Sequence, residues 1–90
     1  MLVLPAELTH EHAAACCRVL ELGLRNDPAR SVVADAGPLI RFDSSARSVL
    51  LDCRREALAL GKTFSVKGLP PRLRVLAGLY GVAELLPAAP

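Results

Sequence analysis

An acid and two hydroxyls stand directly before a helical pattern in the stretch FDSSARSVLLDCRREALALG, which starts at Phe42. Asp43 or Ser44 can cap this helix by accepting hydrogen bonds from its first free N–H groups. A hydroxyl at a helix start is also well placed for phosphorylation, because the helix dipole and the unpaired amides favour added negative charge. Ser44 and Ser45 are therefore candidate switch positions as well as candidate caps.

The other reactive side chains indicate packing or solvation rather than catalysis. His10 and His12 are two residues apart and do not share a helix face, so a solvated helix start explains them better than a metal site. Cys16, Cys17 and Cys53 are odd in number and form no CxxC pair, which is typical of reduced, buried thiols. The sequence shows neither a phosphate-binding glycine loop nor the pattern of a catalytic triad. We expect a protein that is not an enzyme and that holds no metal or cofactor.

The composition limits the class of protein. Ninety residues, 52% of them hydrophobic, suffice for one compact core, so residues 1–90 are expected to form a single domain. A formal net charge of +2 and 3% aromatic residues argue against a nucleic-acid partner. No apolar stretch approaches the roughly 20 residues that span a bilayer, and the apolar start before Pro5 is too short for a signal peptide. We therefore expect a cytoplasmic protein without direct membrane insertion.

Strand and helix patterns alternate along the chain. Thr9 is placed to cap a first helix, and prolines at 70 and 71 suit the first turn of a third one. Helical patterns cover about 9–25, 44–60 and 70–81, and strand patterns cover 2–4, 31–36, 62–68 and 82–86. This order predicts an α/β fold in which a small, mixed, mostly parallel sheet of about four strands packs against three helices.

The second helix has an apolar stripe and an unusual outer face. The stripe that should face the sheet follows helical spacing and comprises Ala46, Val49, Leu50, Cys53, Ala57 and Leu60. Leu51 and Leu58 fall far from its centre, among Arg47, Arg54 and Arg55. Such a face is either ordinary solvated surface, in which single leucines are common, or a docking patch for a partner protein.

The stretch VVADAGPLIRFDSSA resembles the signature of STAS domains, in which a strand ends in an aspartate and a short loop leads to an Asp-Ser-Ser-Gly turn that opens a helix. Asp35 and Asp43 match the two acids of that pattern. The likeness extends over most of the chain, and the tail LAGLYGVAELLP is most similar to the small cytosolic STAS subunit of the Mla phospholipid-transport ABC complex. The resemblance implies a STAS fold and an accessory role, in which the chain binds the ATPase subunit of the transporter and supports its assembly and activity.

A sister branch, the anti-sigma factor antagonists, is the alternative that the DSS motif leaves open. In that branch the partner is an anti-sigma factor kinase and the phosphorylated residue would be Ser45, whereas transporter relatives often have a threonine at the position of Ser44. Ala46 and Arg47 replace the family's glycine and following leucine, so the turn is less permissive and a charge stands where an apolar contact is common. The family's extra N-terminal strand is expected to be absent or very short, and a homodimer through the exposed leucines is a further alternative.

Overall fold

The computed structural model describes residues 2–79 and 86–88, which form five short strands and three helices. In chain order the strands are β1 (Leu2–Val3), β2 (Glu7–Leu8), β3 (Ser31–Asp35), β4 (Arg41–Phe42) and β5 (Thr63–Lys67). The helices are α1 (Ala13–Asn26), α2 (Ser45–Ala59) and α3 (Pro71–Leu79). The predicted α/β fold with three helices and mostly parallel strands is confirmed.

The strands are divided between two small parallel sheets instead of forming one sheet of four strands. β1, β3 and β5 pair in that order, while β2 pairs with β4. The N-terminal strands are very short, as expected, because each of them has only two residues. The edge strand predicted at 82–86 falls largely on residues outside the described part of the chain, next to which Ala88 forms an isolated parallel bridge with Val66.

The larger sheet has one buried face and one polar face. Leu2, Ala34 and Val66 lie side by side on the buried face. On the opposite face the Thr63 hydroxyl donates a hydrogen bond to the Ser31 hydroxyl at 3.1 Å. The alternation follows from the period of two along a strand, and it places the core between this sheet and the helices.

α1 begins later than the sequence predicts. Residues 9–12 form a turn in which His12 N–H donates to Thr9 O at 2.9 Å, and the helix starts at Ala13. The predicted Thr9 cap is wrong, because its hydroxyl lies 3.1 Å from His12 Nδ1 and serves this turn instead of the helix.

Farther along α1, a Cβ at Gly23 would lie 3.0 Å from Leu2 Cδ2, so the missing side chain lets the helix approach β1 closely.

α2 packs against α1, β5 and α3 through the predicted stripe. Five of its six predicted members are buried in the core: Ala46, Val49, Leu50, Cys53 and Ala57. The sixth, Leu60, is 44% exposed. The prediction for Leu60 is wrong because the helix ends at Ala59, and Gly61 with φ of +73° then turns the chain toward β5.

Candidate functional site at the start of the second helix

Asp43, the acid of the DSS motif, follows β4 directly and lies at the start of α2. Asp43 Oδ1 accepts a hydrogen bond from Ser45 N–H at 2.8 Å, and Asp43 Oδ2 accepts one from His10 N–H at 3.0 Å. The pairing of β2 with β4 brings His10 close to Asp43, because Leu8 and Phe42 are opposite each other at the ends of these two strands. A single carboxylate therefore caps α2 and also holds the turn that precedes α1.

Electrostatics favour the charged form of this carboxylate. The hydrogen bond from His10 N–H lowers the pKa of Asp43 most, and the bond from Ser45 N–H lowers it further. Both donors are backbone amides and cannot leave by rotation of a side chain. Asp43 is consequently held as an anion at the tip of α2, where the helix dipole favours negative charge.

The two serines occupy different positions around this cap. Ser44 is exposed at the N-cap position, and within the described structure its side chain makes no capping hydrogen bond. Ser45 is half-buried and is the first residue of α2. Because Asp43 caps the helix, the Ser44 hydroxyl is available for another interaction, which distinguishes the two predicted switch candidates.

Asp35 ends β3 in the same local geometry as Asp43. Its Oδ1 accepts a hydrogen bond from Gly37 N–H at 2.9 Å, two residues ahead, which is the pattern of an Asx turn. Gly68, with φ of +68°, packs on this turn from the end of β5, and a Cβ there would lie 3.0 Å from Gly37 N. Both acids of the motif therefore bind backbone amides, and each fixes the loop that follows its strand.

Arg72 connects α3 to the same region and was not identified as a contact of the motif from the sequence. Its guanidinium lies 4.8 Å from the centroid of the Phe42 ring, and its Nη2 donates to Phe42 O at 3.2 Å. The two residues are 30 positions apart, so no local spacing signals the contact. The cation–π and hydrogen-bond pair holds α3 against the residue that precedes Asp43.

The predicted partner-binding face of α2 is only partly open to solvent. Leu58 is 47% exposed and Arg55 is also exposed. Leu51 is half-buried and packs against the core cluster, so its predicted place on the open surface is wrong. Arg47 and Arg54 are half-buried as well, flanking Leu51. The angle of Leu51 around the helix predicts exposure, but contacts with the core cluster cover part of this side chain.

The acidic edge of α2 faces α1. Glu56 Oε1 accepts a hydrogen bond and ion pair from Arg25 Nε at 3.0 Å, and Asp52 pairs with Arg55 on its own helix. Asp52 Oδ2 also lies 3.9 Å from Cys17 Sγ of α1. The acids of α2 are thus engaged near α1, while Arg47, Arg54 and Leu58 lie on the other side of the helix.

The thiols occupy positions that suppress their reactivity. Burial raises the pKa of Cys53 to about 12, and burial together with the Glu21 carboxylate at 3.4 Å raises the pKa of Cys17 to about 11. Burial also raises the pKa of Cys16. All three are free cysteines. Because the thiolate is the reactive form, these values indicate packing and not nucleophilic chemistry.

The histidines are not gathered into a metal centre. His10 contributes its backbone N–H to Asp43, while His12 contacts Thr9. Across residues 2–79 and 86–88, no group of three His, Cys, Asp or Glu side chains is arranged to hold a metal ion. The solvated helix start expected at these positions fits their exposed side chains.

Comparisons with known proteins identify the family. Within the described residues, no helix has the length and apolar character needed to cross a membrane. No curated protein matches the chain. A family model described as "MlaB, STAS domain" matches residues 1–87, which is nearly the whole sequence and includes both Asx turns and the start of α2. The chain therefore belongs to the STAS domain family, in its MlaB-like group.

Proposed function

We propose that the protein is a non-enzymatic, cytoplasmic accessory subunit that binds the ATPase subunit of a phospholipid-transport ABC complex and supports its activity. The match of residues 1–87 to the MlaB-like family model is the observation that carries this proposal. A binding role also agrees with the chemistry of the chain. Its thiols have raised pKa values, and its two motif acids are engaged by backbone amides.

The docking surface is the basic side of α2. Leu58 supplies the exposed apolar centre, and half-buried Leu51 supplies a fixed floor beside it, held by the core. The arginines at 47, 54 and 55 surround the two leucines and would face acidic groups on the ATPase. This arrangement of an apolar centre with a charged rim is typical of protein–protein interfaces.

Ser44 is the position through which this docking would be regulated. Ser44 and Leu51 are seven residues apart, which is close to two helical turns, so both lie on the same side of α2. A phosphate on the exposed Ser44 would leave the Asp43 cap in place and would add negative charge beside a surface that seeks an acidic partner. Ser45, which is half-buried, is the less accessible acceptor.

Co-purification with the co-expressed ATPase subunit tests the docking surface. Leu58→Asp places an unpaired charge in the desolvated centre and should abolish co-purification. Leu60→Asp is the matched control, because Leu60 has a similar exposure of 44% but lies beyond the end of α2. Circular dichroism should show that both variants are folded. If both variants bind the ATPase as the native chain does, α2 is not the docking surface.

The serine variants test regulation separately. Ser44→Asp should lower the affinity for the ATPase, whereas Ser44→Ala should bind normally and Ser45→Ala should remain folded. Equal binding by all of these variants would reduce the serines to structural residues at the helix start. Capture of an anti-sigma factor kinase instead of the ATPase would contradict the transporter role and assign the chain to the sister branch.

A further inference from the structure

A second apolar surface lies on α1, away from the basic side of α2. It is an open groove of about 440 Å³. It is lined by Val3 and Pro5 from the N-terminal segment and by Cys16, Val19 and Leu20 of α1. We call this surface the α1 groove. It does not include the residues proposed to bind the ATPase, so an inference drawn from it is independent of the proposed function.

The walls of the α1 groove expose branched aliphatic side chains that the fold does not use. Val3 is 59% exposed and Val19 is 68% exposed, whereas Leu20 at the base of the groove is 5% exposed. Leu22 continues the exposed row one turn beyond Val19, with 55% of its surface accessible. The apolar face of α1 therefore extends from the core, at Leu20, onto the groove, at Val19. Val19 and Leu22 therefore form a short exposed apolar row beside the groove, which makes this side of α1 a candidate interaction surface.

The charged end of the groove indicates the chemistry of its occupant. Its charged lining residues are Glu7 and Glu11, both exposed, and they stand with His12 at the end nearest the start of α1. Arg41 lies opposite Glu7 in the β2–β4 pair but does not line the groove, so the charged lining of the groove consists of carboxylates although the chain has a net charge of +2. An apolar surface with carboxylates at one end is complementary to an apolar segment that carries Lys or Arg.

The shape and charge favour a helix of a partner protein over a membrane. The groove is lined at positions 12, 15, 16, 19 and 20, so it extends along α1, and an apolar groove along a helix can receive the apolar face of an amphipathic helix. Anionic lipid headgroups would instead be repelled by Glu7 and Glu11. We infer that the α1 groove binds a basic amphipathic helix of a partner protein, with its aliphatic side chains against Val3 and Val19 and its cations beside Glu7 and Glu11.

Fluorescence anisotropy with the full chain tests this inference. The probe is a labelled helical peptide of about 15 residues, the length at which isolated helices begin to be stable, with leucines on one face and lysines flanking them. Val19→Asp should weaken its binding by about tenfold or more, since it puts a charge in the apolar wall. Val75→Asp is the matched control, because Val75 is 62% exposed on α3 and lies outside the groove. Leu58→Asp should also bind the peptide normally, which separates this test from that of the proposed function.

Charge reversal completes the test. A peptide with glutamates in place of the lysines should bind with an affinity at least about tenfold lower. Glu11→Lys should lower the affinity for the lysine peptide. Equal effects of Val19→Asp and Val75→Asp, equal binding of both peptides, or no binding at about 1 mM would overturn the inference. Binding of phosphatidylglycerol vesicles that depends on Val19 would likewise overturn it in favour of a membrane. A dimer that sedimentation detects and Val19→Asp dissociates would assign the groove to a second copy of the chain and overturn it as well.

Discussion

Two glycines with the same backbone conformation allow the packing of the Asp35 turn to be measured. Gly61 has φ of +73° and Gly68 has φ of +68°, a region that residues with a Cβ rarely adopt. A Cβ at Gly61 would meet no described atom within 4 Å. At Gly68 it would lie 3.0 Å from Gly37 N and 3.1 Å from Gly37 Cα, and these are backbone atoms that cannot rotate away. Alanine at the two positions therefore shares the conformational strain and differs in the contact.

The expected free-energy changes follow from these two contributions. The left-handed conformation costs alanine about 1–2 kcal/mol, and the lower entropy of the unfolded chain offsets about 0.4–1 kcal/mol of it. Gly61→Ala should therefore lower the free energy of unfolding by about 1 kcal/mol. Gly68→Ala should lower the free energy of unfolding by about 1–3 kcal/mol more than Gly61→Ala does, because the turn from Asp35 to Gly37 must move by a few tenths of an ångström or absorb the overlap. A domain of this size is stabilised by only about 5–13 kcal/mol, so the Gly68 variant should be visibly fragile.

Urea denaturation monitored by circular dichroism can resolve this difference. With a slope of about 1 kcal/mol per molar urea, the midpoint of Gly68→Ala should lie about 1–3 M below that of Gly61→Ala. Similar slopes for the two variants would establish that the midpoints compare stability and not a change in unfolding cooperativity. Coincident midpoints would refute the reasoning, because they would show that the Gly37 backbone yields freely and that the Asp35 turn is not held against β5.

Three further predictions concern the cap, the thiols and the core. The pKa of Asp43 is lowered in the folded state, so its contribution to stability is complete above the unfolded value of 3.8 and is lost as the pH falls through the lower folded value. Asp43→Asn should therefore reduce the loss of unfolding free energy at acid pH, as measured by urea denaturation at a series of pH values. Cys53, with its pKa raised to about 12, should react with iodoacetamide at pH 8 much more slowly than in the urea-unfolded chain, as measured by mass spectrometry. Leu50→Ala empties a fully buried position and should cost about 2–5 kcal/mol in urea denaturation, whereas Leu58→Ala should change stability by no more than about 0.5 kcal/mol.

Much of the fold could be predicted because it is specified by short-range patterns. Alternation at Phe64 and Val66 predicted β5, and both side chains are buried. The helical spacing of Ala46, Leu50 and Cys53 predicted the core face of α2 for the same reason. In each case the period of the element determines which side chains share a face. The order of these elements then restricts the topology to parallel strands joined by helical crossovers.

The contacts that assemble the candidate site could not be predicted in this way. Asp43 was recognised as a cap, but its bond to His10 N–H spans 33 residues and depends on the pairing of β2 with β4. The strands in that pair have two residues each, too few to show an alternating pattern. The predicted exposure of Leu51 is wrong for a related reason, since its burial depends on neighbouring elements and not on its own helix. Tertiary contacts decide these positions, and local patterns do not report them.

The distribution of charge differs between the two proposed binding surfaces. The net charge of +2 conceals a separation, because Glu56 is paired with Arg25 between the helices and Asp52 is paired with Arg55. Glu56 is thus engaged on the side of α2 that faces α1, and Asp52 engages Arg55 at the edge of the proposed docking surface, while the α1 groove keeps the acidic rim of Glu7 and Glu11. A partner suited to one surface is repelled by the other, so charge alone discourages either partner from docking in the wrong place. Reversing the charge on one surface should therefore weaken the binding of the partner of that surface. It should also remove the repulsion that keeps the other partner from binding there.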